Sequence, residues 1–218
     1  MFVRLPVENA RSSYVSNHSD QHPKSAKSKP PQRLPNRQTR QREYLTTHEI
    51  EALRKAARAT GRYGHRDATL ILMLFRHALR VSEAVTLQWE QIDFKQGLLH
   101  VVRIKNGLPS THPLRAVELR ALRQLQRGYP DSVYVFTSER LAPLTPRSVH
   151  HIVQRAGVNA QMSISVHPHM LRHSTGFYLA NQGQDTRAIQ SYMGHANIKN
   201  TVTYTDLSSQ RFKNFWND

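Results

Sequence analysis

The chain has 218 residues, enough for one full domain with a tail or for two small domains. Lys and Arg outnumber Asp and Glu 31 to 15, a formal charge of +16, and so basic a chain is expected to meet a polyanion, because neutralised phosphates release condensed counterions. Cysteine is absent, which excludes disulfides, thiolate zinc sites and cysteine nucleophiles, and the longest apolar stretch, near residues 68–75, is far too short to span a bilayer.

Residues 1–43 form a first segment of distinct composition. They contain Ser12, Ser13, Ser16, Pro23, Pro30, Pro31 and Pro35, few large apolar residues, and nine Lys/Arg against three Asp/Glu. Such a segment buries too little apolar surface to offset its ordering entropy, so a basic, disordered tail is expected. Its charge suits either tracking a DNA backbone or keeping the chain soluble. A folded domain is expected over 44–218.

That domain should open with a helix at Thr46-Thr47-His48-Glu49, a capping box followed by Ile50, Leu53 and Ala57 at helical spacing. A second helix is expected over His65–His77 with Leu70, Met73 and Leu74 on its apolar face. A short one follows over Ser82–Leu87. Leu98–Ile104 reads as a strand, Asn106-Gly107 as a turn and Thr111–Leu114 as the return strand. Helical patterns resume at Arg115–Arg127, at Pro146–Gly157 behind the cap Thr145, and at Pro168–Gln182. Gly183 should stop the last of these, and Asp185 should cap a helix ending near Gly194. Two short helices finish the chain, the final one carrying Phe212, Phe215 and Trp216 on one face. The expected class is mainly α with a small antiparallel β-sheet.

Several polar residues stand out within this frame. His169 and Arg172 lie about one turn apart on one helix face, where an imidazole and a bidentate guanidinium can share one phosphate; two solvated polar residues would read the same way. His195 follows Gly194 at a helix end and could equally serve that end's carbonyls. Tyr204 sits in the polar stretch 200–206, without the apolar periodicity that marks a core tyrosine. A nucleophilic tyrosine needs cationic neighbours, because a phenol with pKa near 10 must lose its proton as it attacks.

Taken together, the motifs resemble the tyrosine recombinase (phage integrase) family. Ala78-Leu79-Arg80-Val81-Ser82-Glu83-Ala84, followed by Leu87-Gln88-Trp89 and Ile92-Asp93, looks like the box that carries the family's first catalytic arginine. His169-Met170-Leu171-Arg172-His173 looks like its H-x-L-R-H box, and Tyr192-Met193-Gly194-His195 like its L-G-H box. Tyr204 stands nine residues after His195, as the family's nucleophile does. Lys105 matches the hairpin lysine, although the hairpin reads Ile104-Lys105-Asn106-Gly107 instead of the common G-K-G-N-K. The resemblance covers residues 44–218. It is nearest to the small fimbrial phase-variation recombinases, through Lys105–Leu114 and Ile164–Ala180.

The resemblance implies a tyrosine recombinase catalytic domain that cleaves and rejoins double-stranded DNA at recombination sites. Arg80, Arg172, His195 and His169 would surround the scissile phosphate, and Tyr204 would form a 3′-phosphotyrosyl link. Lys105 would protonate the departing 5′-oxygen, and His169 would accept or relay a proton. Glu83 would orient a basic residue rather than act as an acid. No metal and no other cofactor is implied. The spacing of His167, His169 and His173 admits a zinc reading, but no carboxylate or cysteine accompanies it. His150 and His151 read as an exposed helix pair. The implied partners are DNA and further copies of the chain, as a tetramer on DNA, with no membrane contact and a cytoplasmic location at the nucleoid. DNA inversion is the expected outcome. An integrase of a mobile element, a type IB topoisomerase and a non-catalytic DNA-binding relative are the alternatives.

Overall fold

Thr46 starts the first helix, α1 (Thr47–Ala59), as its sequence requires. Its hydroxyl accepts from the Glu49 amide at 3.2 Å, while the Glu49 carboxylate accepts from the Thr46 amide at 2.7 Å. The computed structural model describes residues 42–103 and 107–206, all within the unit Arg40–Asp218. Helix α2 (Gly64–Arg76) runs through the centre and packs against α1, α4 (Ala116–Gly128) and α6 (Pro168–Asn181). The sequence suggests one apolar face for α2, yet Leu70, Ile71, Leu72, Met73 and Leu74 are all buried. A helix apolar on every side can be covered only from every side. Its polar start is sealed by ion pairs: Asp67 binds Arg66 at 2.7 Å and Arg155 at 3.0 Å.

Between α2 and the short α3 (Val81–Val85) the chain turns through Ala78, whose φ of 50° is left-handed although it is not glycine. A three-stranded antiparallel sheet follows: β1 (Ile92–Asp93), β2 (Leu98–Val101) and β3 (Ser110–Pro113), in that order. In register, Leu99 faces Ile92 on one side and His112 on the other. The strand β2 ends three residues before the expected Ile104. Arg103 accounts for this, because its side chain leaves the ladder and is buried against α3. Ile104, Lys105 and Asn106, with the expected turn, lie outside the described residues.

Segment 129–145 then crosses to α5 (Pro146–Asn159) without a helix, anchored by buried Val135 and Phe136. Thr145 caps α5, with its hydroxyl accepting from the Ser148 amide at 3.1 Å. Gly183 ends α6 at φ 73°, and Asp185 caps α7 (Thr186–Met193) by accepting from the Arg187 and Ala188 amides. A last helix, α8 (Lys199–Asp206), completes the described fold. The expected helix with Phe212, Phe215 and Trp216 lies outside the described residues. Apart from the main core, a small cluster joins Ala78, Ala180, Ile189, Met193 and Tyr204, and it seats α8 on α6.

Candidate active site

The start of α3, the first turns of α6, the turn after α7 and α8 meet around a cleft of about 360 Å³. Arg80, His169, Arg172, His195 and Tyr204 all line it, so five of the six expected residues are brought together. Lys105 lies outside the described residues. The cleft also exposes His173, Lys199, Asn200 and Thr203.

Arg172 is 2% exposed, with Nη2 donating to the Met193 carbonyl at 2.6 Å and Nη1 donating to that of Ala78. Burial, together with the charges of Arg80 and Arg103, brings its pKa down to about 10, which leaves it cationic at neutral pH. Arg80 ties to the buried Glu83 at 2.6 Å. Arg103 reaches the second oxygen of the same carboxylate at 2.8 Å and donates to the Tyr192 carbonyl at 2.6 Å. Burial would raise the Glu83 carboxyl, but the Arg80 amide and the Arg103 charge outweigh it and hold it below the usual range. Glu83 therefore orients two arginines, as its place in the sequence suggested.

The turn after α7 needs a glycine twice over. Gly194 caps the helix at φ 63°, and a Cβ there would lie 2.6 Å from Arg103 Nε. Beyond it His195 points into the cleft, its Nδ1 2.9 Å from Thr201 Oγ1. Burial, with Arg172, Arg80 and Arg103 nearby, takes its pKa down to about 4. His169 is likewise lowered to about 4, by burial and by His173 and Arg172. Both rings are thus neutral donors or acceptors at physiological pH.

Tyr204 is 4% exposed. Its ring lies flat against α6 at Gly176, where a Cβ would come within 2.6 Å of the ring carbons, and packs edge-on to Phe177 at 5.2 Å. Burial raises its pKa to about 12 against the pull of Arg172. Its hydroxyl is 2.8 Å from His173 Nδ1.

Sequence reasoning gave no catalytic role to His173, Lys199 or Thr203. For His173 a signal existed: it lies one turn beyond His169, hence on the same helix face. Among the described residues no group of three His, Asp or Glu side chains is placed to hold a metal, the His167-His169-His173 run included, and no helix is long and apolar enough to cross a membrane.

The neutral histidines make stability depend on pH. His169 and His195 are lowered to about 4, and His112, buried beside His77, to about 3. In the unfolded chain these groups titrate near 6.5, so the unfolded state binds more protons between about 6.5 and 4. Unfolding free energy from urea titration should be level above pH 6.5 and fall as pH drops towards 4. The Glu83 and Glu118 carboxyls lie below their usual range, so their stabilisation is complete above about pH 5.5 and steepens the fall only below it. A level profile from about 6.5 to 4.5 would mean that the folded histidines protonate as readily as unfolded ones.

A model of the Phage integrase family matches residues 43–211. The chain is 43% identical over 182 residues to the type 1 fimbriae regulatory protein FimB of Escherichia coli (strain K12), across 81% of this chain and 90% of FimB. It is 39% identical over 181 residues to FimE of the same strain, across 80% and 91%. Its fold is that of the crystal structure of XerA recombinase, with a TM-score of 0.68 at 24% identity over 79% of this chain and 63% of that one. XerH site-specific recombinase, solved bound to a palindromic difH substrate, superposes with a TM-score of 0.67 at 22% identity over 78% and 51%. The chain thus spans most of the fimbrial proteins and about half to two thirds of the two solved recombinases. By domain match, sequence identity and fold alike, the chain belongs to the phage integrase family, the tyrosine site-specific recombinases.

Proposed function

We propose that the chain cleaves and rejoins DNA at specific sites, with Tyr204 attacking the scissile phosphodiester in the cleft. The observation that carries this reading is the placement of Tyr204 beside Arg172, Arg80 and His195 in one cleft. As the phenolic oxygen approaches phosphorus, charge redistributes onto the non-bridging oxygens. Arg80 and Arg172 are already fixed by Glu83 and by backbone carbonyls, so they meet that charge without reorganising. When the Thr201 hydroxyl donates to His195 Nδ1, the ring's Nε2–H is left to donate to the same phosphate. The bond to the 5′-oxygen breaks, and the strand is held as a 3′-phosphotyrosine that conserves the bond energy for religation. Lys105 would give the 5′-oxygen its proton.

Identity to two fimbriae regulatory proteins favours inversion of a DNA segment over integration of a mobile element. Strand exchange would take place in a tetramer of this chain on double-stranded DNA, in the cytoplasm at the nucleoid. Residues 1–43 would form a basic tail preceding the catalytic domain of 44–218.

A duplex nicked near the cleavage site traps the covalent intermediate. Wild-type protein should give an adduct stable on denaturing gels and mapping to Tyr204. Tyr204→Phe should bind the duplex and give none; a surviving adduct would place the nucleophile elsewhere. The role of Lys105 is tested by sulfur at the bridging 5′ position, since a thiolate leaves without protonation. Lys105→Ala should cleave ordinary DNA about 10²–10⁴-fold more slowly and recover on the sulfur substrate. Arg80→Ala should stay slow on both. Equal slowness of Lys105→Ala on both substrates would remove Lys105 from the acid role.

A further inference from the structure

Tyr204 must lose a proton as it attacks, and the sequence offered His169 as the acceptor. The geometry points to another group. We propose that His173 is the general base of the reaction, taking the phenolic proton of Tyr204 on Nδ1 during cleavage and returning it during religation. The proposal rests on Tyr204 being the nucleophile and goes beyond the residues that the motifs assign.

Three observations support it. First, the imidazole in contact with the phenol is that of His173: the Tyr204 hydroxyl lies 2.8 Å from its Nδ1, the range in which a proton passes directly, and with the ring proton on Nε2 the hydroxyl is the donor. Second, both partners are held in place. His173 lies in the second turn of α6, with the His169 ring edge-on to it at 4.4 Å, while Tyr204 is pressed onto Gly176 and Phe177 of the same helix. Third, the surroundings keep His173 able to accept. Burial, Arg172 on its own helix and His167 at that helix's N-cap disfavour its charged form, against the opposing pull of Glu43 ahead of α1. The other titratable groups lining the same cleft are His169 on α6 and His195 from the turn after α7, both neutral at physiological pH, with the cations Arg80 at the start of α3 and Lys199 on α8.

Burial that raises the phenol to about 12 explains why a base is needed. Imidazole cannot strip such a phenol at rest, so transfer must accompany bond formation to phosphorus, when the acidity of the oxygen rises steeply. The balance closes. The Tyr204 oxygen forms its bond to phosphorus while the bond from phosphorus to the 5′-oxygen breaks. The phenolic proton moves to His173, and a proton from the acid, Lys105 in the reading above, moves to the 5′-oxygen. Cleavage leaves His173 charged and the acid discharged; religation by a 5′-hydroxyl reverses both transfers without outside reactants.

The test is single-turnover adduct formation on the nicked duplex at saturating protein, across about pH 6 to 8. Wild-type protein, His173→Gln, His173→Ala, His169→Gln and Tyr204→Phe are compared, each checked for melting temperature and duplex affinity. Glutamine can accept the hydrogen bond but cannot take the proton. His173→Gln should therefore bind DNA normally and cleave about 10²–10⁴-fold more slowly, with a rate that climbs with pH where wild type is level. Added imidazole should restore part of the rate of His173→Ala. The inference is overturned if His173→Gln matches wild type, or if it is slowed equally at every pH with the wild-type profile kept. It is overturned also if His169→Gln alone acquires the climbing profile. An adduct surviving Tyr204→Phe would instead sink the nucleophile assignment, and this inference with it.

Discussion

One backbone carbonyl, that of Ala78, lies beneath the whole site. The left-handed turn at this buried residue aims the carbonyl inward, where Nη1 of Arg172 and Nη1 of Arg103 both donate to it. A left-handed alanine costs about 1–2 kcal/mol, which hydrogen bonds from charged donors are of a size to offset. The turn connects α2 to α3 and so sets where Arg80 begins. Through Arg172 it is tied to α6, and through the Met193 carbonyl to the turn that presents His195. Through Arg103 it is tied to the end of β2, at the root of the hairpin. Three separate sequence motifs are thereby fixed to one point.

The charges follow from the same arrangement. Arg80, Arg103 and Arg172 cluster around a single carboxylate, Glu83, so positive charge remains unmatched, with Arg103 and Arg172 buried and Arg80 partly exposed at the cleft. Each buried ion is costly, and such clusters are poor sources of stability. Their use lies in pre-orientation. A phosphodiester entering the cleft supplies the missing negative charge, and more of it as the transition state forms. The neutral histidines fit the same logic: buried, and then crowded by arginines and by one another, they lose charge and become hydrogen-bond partners with a proton to give or a lone pair to offer.

Much of this was legible in the residues. Capping boxes and N-caps at Thr46, Thr145 and Asp185 and the stops at Gly183 and Gly194 depend on local chemistry, so the helix boundaries fell within a few residues. That Arg80, His169, Arg172, His195 and Tyr204 should share one cleft was legible because their motifs stand in the order and spacing the resemblance requires. What escaped depends on tertiary contact. The early end of β2 is set by where the side chain of Arg103 is buried, which strand periodicity does not encode. Burial of all sides of α2 requires neighbours from distant segments. The pairing of His173 with Tyr204 joins residues 31 apart through the packing of α8 on α6, with Gly176 leaving the room.

The account stands on one claim, that these residues converge on a single phosphate. The most direct measurement is a crystal structure of the protein with vanadate and a duplex interrupted at the cleavage site. Vanadium should be five-coordinate, with Tyr204 Oη at one apex, a DNA oxygen at the other, and equatorial oxygens bonded to Arg80, Arg172 and His195. Vanadate bound away from Tyr204, or out of reach of the two arginines, would contradict the account.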